Sequence, residues 1–71
     1  MAPNPTPSAE PQDSPDGYVG LDARGAERLA RERGWRAVRS LPPGAIITME
    51  YRAGRLNFEV RDGRVTRAWK G

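Results

Sequence analysis

Not one of the 71 residues is a cysteine, so the chain has to fold without a disulfide and without a thiolate metal site. A domain of this size buries only about 60% of the surface its unfolded chain exposes and is marginal without such staples. There is room for one domain, and each large apolar side chain must serve one small core. Histidine is missing as well, which removes the usual general base of a Ser or Cys nucleophile and the commonest metal ligand. The serines are Ser8, Ser14 and Ser40, and none sits in a nucleophile-elbow pattern. We therefore expect no enzyme, no cofactor, no metal and no small-molecule ligand. No run of about 18 apolar residues occurs, so a membrane is not an expected partner. The first residues carry neither a basic n-region nor an apolar h-region, and no signal peptide is expected in them. The compartment is left open between cytoplasm and, after removal of a leader, a secreted or periplasmic location.

Residues 1–17 hold five of the seven prolines and no aliphatic side chain larger than alanine except Met1. Such a segment has nothing with which to build a core, and it reads as a disordered, extended arm. Pro3, Pro5 and Pro7 also allow a Pro-rich ligand, a weaker reading. The net charge of +3 hides a split: Glu10, Asp13 and Asp16 give the arm −3, while residues 18–71 hold all 12 basic and six acidic residues, giving +6.

The folded part is expected over residues 18–71. Asp22 suits a helix N-cap, with Leu21 before it able to staple onto Ala26. Ala26, Leu29, Ala30 and the stem of Arg33 share one face. Glu27 with Arg31, and Arg28 with Glu32, are four apart on the outside. Gly34 can take positive φ and end the helix, which the pattern sets at about 22–33. Trp35 to Leu41 reads as a short buried strand, stopped by Pro42-Pro43-Gly44. From Arg55 the pattern alternates: Leu56, Phe58 and Val60 face one way, and Arg55, Asn57, Glu59 and Arg61 the other. Asp62-Gly63 signals a two-residue hairpin. Arg64 to Lys70 returns as a strand carrying Val65 and Trp69, with Trp35 and Trp69 expected in the core. The order is helix, strand, long connection, strand, turn, strand, an α+β fold.

The connection at 42–54 is long for a compact domain and is not composed like a flexible loop. It contains Ala45-Ile46-Ile47-Thr48-Met49-Glu50-Tyr51-Arg52. An exposed apolar stretch on a small domain marks a binding surface. The same residues, bracketed by Gly44 and Gly54, also fit a further central strand, and the pattern alone does not choose.

Leu41-Pro42-Pro43-Gly44 running into Thr48-Met49-Glu50-Tyr51-Arg52, with Arg55 three residues on, resembles the potato inhibitor I family. Tyr18-Val19-Gly20-Leu21-Asp22 and the closing Lys70-Gly71 extend the likeness over about residues 18–71. Tyr51-Arg52-Ala53-Gly54-Arg55-Leu56-Asn57 is nearer to its bacterial and fungal elastase-inhibitor-like relatives. The resemblance implies one helix packed on a small mixed sheet of about three strands, the strands flanking the connection running parallel. It also implies a wide exposed loop, residues 45–54, that a serine protease binds as substrate, with Met49–Glu50 as the reactive-site bond. Ile46, Ile47, Thr48, Tyr51 and Arg52 would be the other contacting residues. The partner would be a subtilisin-, chymotrypsin- or elastase-like enzyme, and the inhibitor a monomer.

Physical chemistry suits these residue types. A protease adds its substrate as a strand and reads alternate side chains in pockets. Met49 is long, unbranched and polarisable, fit for an apolar slot, as Ile46 is for another further along. Thr48 and Glu50 carry oxygens that guanidinium donors can hold. Arg55, on the polar side of its strand, could reach them and brace the loop. Where the plant members have a second arginine this chain has Asn57, a shorter, neutral donor. The rival of another class is a basic nucleic-acid-binding module, favoured by 11 arginines. Against it, Glu27, Glu32, Glu50 and Glu59 interleave with them, and no recognition-helix, zinc-finger or RNP pattern is visible. A non-inhibitory interaction domain of the same fold is the other alternative.

Overall fold

A computed structural model describes residues 11, 13–45 and 51–71. A 3-10 turn at Pro15–Tyr18 leads into helix α1 (Ala23–Glu32), followed by strands β1 (Ala37–Leu41), β2 (Arg55–Arg61) and β3 (Arg64–Lys70). The sheet order is β1-β2-β3. β1 runs parallel to β2, with Ala37 level with Arg55 and Leu41 level with Glu59, and β3 is antiparallel to β2. This is the expected α+β fold, one helix on a three-stranded mixed sheet.

Each end of α1 is closed by its own residues. The Asp22 carboxylate accepts from the Gly25 amide at 3.0 Å, occupying one of the free amides of the first turn. At the other end Gly34 takes φ +103°. Its amide donates to the Arg31 carbonyl and that of Trp35 to the Ala30 carbonyl, both at 3.1 Å. That pair of bonds is the Schellman motif, and it turns Trp35 back under the helix. Glu27 and Arg31 pair across one turn at 3.1 Å. Leu21 stays 38% exposed.

The core lies between α1 and one face of the sheet: Tyr18, Ala26, Ala30, Trp35, Leu56, Phe58 and Val65 are buried, with Leu29, Val38, Val60 and Ala68 against them. The Tyr18 and Phe58 rings are 5.4 Å apart and tilted by 44°. Residues 20–23 cover the outer edge of β3. Gly20 donates to Val65 at 2.8 Å, Val65 to Leu21 at 2.9 Å, and Ala23 to Gly63 at 2.8 Å. The hairpin is the expected one: Asp62 and Gly63 both have positive φ, 53° and 78°, as a type I′ turn requires.

Three expectations need correction. β1 is an edge strand and no more than half-buried, and Trp35 is buried ahead of it rather than within it. Trp69 does not reach the core. The β2–β3 register steps between Glu59 and Val60, so Thr66 is an extra residue in β3. This bulge puts Val65 and Ala68 on the core face and turns Trp69 to the opposite face, level with Asn57. Finally, packing against the domain begins before Tyr18. Asp13 accepts from the Tyr18 hydroxyl, from the Trp35 indole at 3.0 Å and from Arg33 at 3.1 Å.

Candidate functional site

Parallel pairing decides where the long connection runs. It leaves β1 at Leu41, level with Glu59, and enters β2 at Arg55, level with Ala37. Its two ends are therefore about 13 Å apart at 3.3 Å per residue, and residues 42–54 have to travel back along the sheet.

The outgoing end is a turn. The Ala45 amide donates to the Pro42 carbonyl at 3.2 Å, with Gly44 at φ +78°. The returning end is fixed more firmly. The Arg55 amide donates to the Arg52 carbonyl at 3.2 Å, closing a turn whose third position, Gly54, has φ +83°; glycine takes that conformation without a side-chain clash. The Gly54 carbonyl accepts from Arg36 at 2.9 Å and from Ala37 at 3.2 Å, which ties the turn to the start of β1.

Arg55 is not the partly exposed strand residue that alternation implies. It is only 9% exposed. Its Nε donates to the Gly71 backbone oxygen at 3.1 Å, and its Nη2 donates to the same oxygen. The Arg52 amide donates there too, at 3.2 Å, and the Gly71 amide returns a bond to the Arg55 carbonyl at 2.9 Å. Charge-assisted bonds in a buried setting hold geometry well. The Tyr51 ring lies close against Gly71: a Cβ at that position would come within 2.5 Å of the ring, and φ there is +95°. Tyr51 itself is 62% exposed and Arg52 is exposed. Tyr51, Arg52 and Arg55 thus converge on Gly71.

Asn57, one step along the same face, is fully buried. Its Oδ1 accepts from Arg39 Nε at 2.8 Å and its Nδ2 donates to the Trp69 carbonyl at 3.2 Å. The face opposite the helix therefore carries a polar layer drawn from all three strands. The Arg67 guanidinium caps the Trp69 ring at 5.3 Å.

Of the residues singled out from sequence, Tyr51, Arg52, Arg55 and Asn57 are described, and the first three converge on Gly71. Ile46, Ile47, Thr48, Met49 and Glu50 lie outside the described residues, as does most of the alternative further strand. Gly71 and Arg39, which hold Arg55 and Asn57, are not among the residues that the sequence singles out. A closing glycine has no side chain to advertise its carbonyl, and Arg39 reads as an ordinary strand arginine until the parallel register sets it beside Asn57. Among the described residues no group of three or more His, Cys, Asp or Glu could hold a metal, and no helix is long and apolar enough to cross a membrane.

No curated protein matches the sequence. The model of the peptidase inhibitor I78 family matches residues 14–69. That span runs from the residue after Asp13 through the helix and all three strands almost to the end of β3, and it includes the whole connection. This chain belongs to the peptidase inhibitor I78 family.

Proposed function

We propose that the chain inhibits serine proteases of the subtilisin, chymotrypsin or elastase type by presenting residues 45–54 as a substrate. Met49–Glu50 is the reactive-site bond. Ile46, Ile47, Thr48, Tyr51 and Arg52 are the remaining contacts. The likeness to the potato inhibitor I family supplies the bond and the class of enzyme. The observation that carries the reading is the anchor on Gly71. Arg55 and the Arg52 amide share its oxygen, and the Tyr51 ring lies against the residue. A connection held at its returning end keeps a bound shape in the free protein, so less conformational freedom is lost on binding. After cleavage the same anchor keeps the new amine beside the acyl-enzyme, where resynthesis competes with hydrolysis. Residues 18–71 form the inhibitory domain in this reading, a monomer, with Asp13 and the 3-10 turn packed onto it.

The test is titration of the purified chain against one enzyme of each type, with mass spectrometry of the mixtures. The expected result is stoichiometric inhibition of at least one, with slow cleavage confined to Met49–Glu50. Digestion at unrelated bonds, or no inhibition by a molar excess, would overturn the reading.

A further inference from the structure

Asn57 is placed by sequence as a second, weaker brace for the connection. Its side chain is otherwise engaged. The oxygen is taken by Arg39 at 2.8 Å, and the amide donates to Trp69 at 3.2 Å. With the residue fully buried between these partners, it has little reach left. Arg39 is the reverse case. A guanidinium carries five N–H donors in a rigid plane. Only Nε has an acceptor among the described residues. That bond sets the direction of the Nε–H and so limits where the terminal nitrogens of the planar group can reach. Arg39 is half-buried, on the same sheet face as Arg55 and two residues before Leu41, where the connection leaves β1.

We infer that Arg39 is a positioning residue for inhibition: in the protease complex its terminal nitrogens restrain the connection at its outgoing side, as Arg55 does at the returning side. Asn57 acts through it, as the group that aims it. The second guanidinium of the site thus comes from β1 and not from β2. This rests on the inhibitor reading proposed above.

The test is a double-mutant cycle on Arg39→Ala, Asn57→Ala and the pair, using an enzyme that the wild-type chain inhibits. The readouts are the inhibition constant and the rate of cleavage at Met49–Glu50, each corrected for the fraction folded from melting curves. Each single change should speed cleavage on the order of tenfold, and the double change should do no more than the larger single one, as for two residues acting in one unit. Asn57→Asp keeps the acceptor for Arg39 and gives up the bond to Trp69. It should melt at a lower temperature yet keep slow cleavage near wild type, which a merely structural role for Asn57 would not permit. Additive effects in the cycle, or an Arg39→Ala chain that is as potent and as slowly cleaved as wild type, overturn the assignment and leave the inhibitor reading standing. A wild-type chain that inhibits none of the enzymes overturns both.

Discussion

Arg55 gives at least two of its donors to one backbone oxygen while 9% exposed, and this sets the cost of removing it. Arg55→Ala strips those donors from Gly71 and empties a buried site. We expect a stability loss of about 1–3 kcal/mol, in the range for buried bonds to a charged group. That is more than alternation alone implies, since alternation places the residue on a solvated face. Chemical denaturation measures it. Cleavage of Met49–Glu50 should also accelerate, because the connection loses its anchor while keeping the side chains that enter the enzyme. If Arg55→Ala stays uncleaved and equally potent through long incubation with stoichiometric enzyme, the anchor does not restrain the connection. Met49 probes the other half of the site. Met49→Lys should weaken inhibition of chymotrypsin- and subtilisin-like enzymes and create inhibition of trypsin, since an apolar slot has no counter-charge for an ammonium. Unchanged constants across that set would place the reactive bond elsewhere.

Among the elements, α1 was legible almost to the residue, because its stops are chemical: a carboxylate at Asp22 and a left-handed glycine at Gly34. β2 and the hairpin were equally plain from alternation and Asp62-Gly63. β1 and β3 were half-legible. Their existence shows in the pattern, but burial depends on neighbours that the sequence does not order. β1 reads as buried until the sheet order leaves it at an edge, and Trp69 reads as core until the extra Thr66 turns it over. The same gap hid the contact between Arg39 and Asn57, which appears only in the parallel register. The bulge yields an unusual expectation. Val60 is level with Val65, and Glu59 with Arg67. Removing Thr66 would therefore make a regular ladder without moving either pair. Deleting Thr66 should keep the fold at a cost of about 1 kcal/mol, from its hydroxyl bonds to Glu59 and the local twist. A chain lacking Thr66 that is unfolded by circular dichroism would show that the bulge itself is needed for closure of the sheet.

At the scale of the whole molecule, Asp13 joins three separate parts of the N-terminal side. One carboxylate accepts from Tyr18 in the core, from the Trp35 indole after the helix and from Arg33 in the helix cap, and the Arg33 guanidinium lies over the Tyr18 ring at 5.5 Å. A disordered arm over residues 1–17 would be removable without consequence; with Asp13 packed on the domain the expectation divides. Removing residues 1–10 should leave the melting temperature unchanged, whereas removing 1–17 should lower it. Asp13→Ala alone should cost about 1–3 kcal/mol, because it leaves a buried indole and hydroxyl without their acceptor. For a domain this small each kcal/mol is about 4–8 °C in melting temperature. Acid should reproduce the effect. Burial pushes the Asp13 carboxyl up, but the hydrogen bonds from Tyr18 and Trp35 and the Arg33 charge outweigh it and hold it below the ordinary 3.8. A carboxylate depressed on folding stabilises the native state above its unfolded pKa, and that contribution fades as pH falls through the folded value. The gap in melting temperature between wild type and Asp13→Asn should thus be constant near neutrality and shrink as pH drops below about 4. Asn keeps the acceptor for Tyr18 and Trp35 but gives up the charge and the oxygen that accepts from Arg33, so the comparison reads the ionised pairing. A gap that persists unchanged to pH 2.5 would mean the carboxylate is held by shape alone, and that its charge contributes nothing to closing the N-terminal side of this small domain.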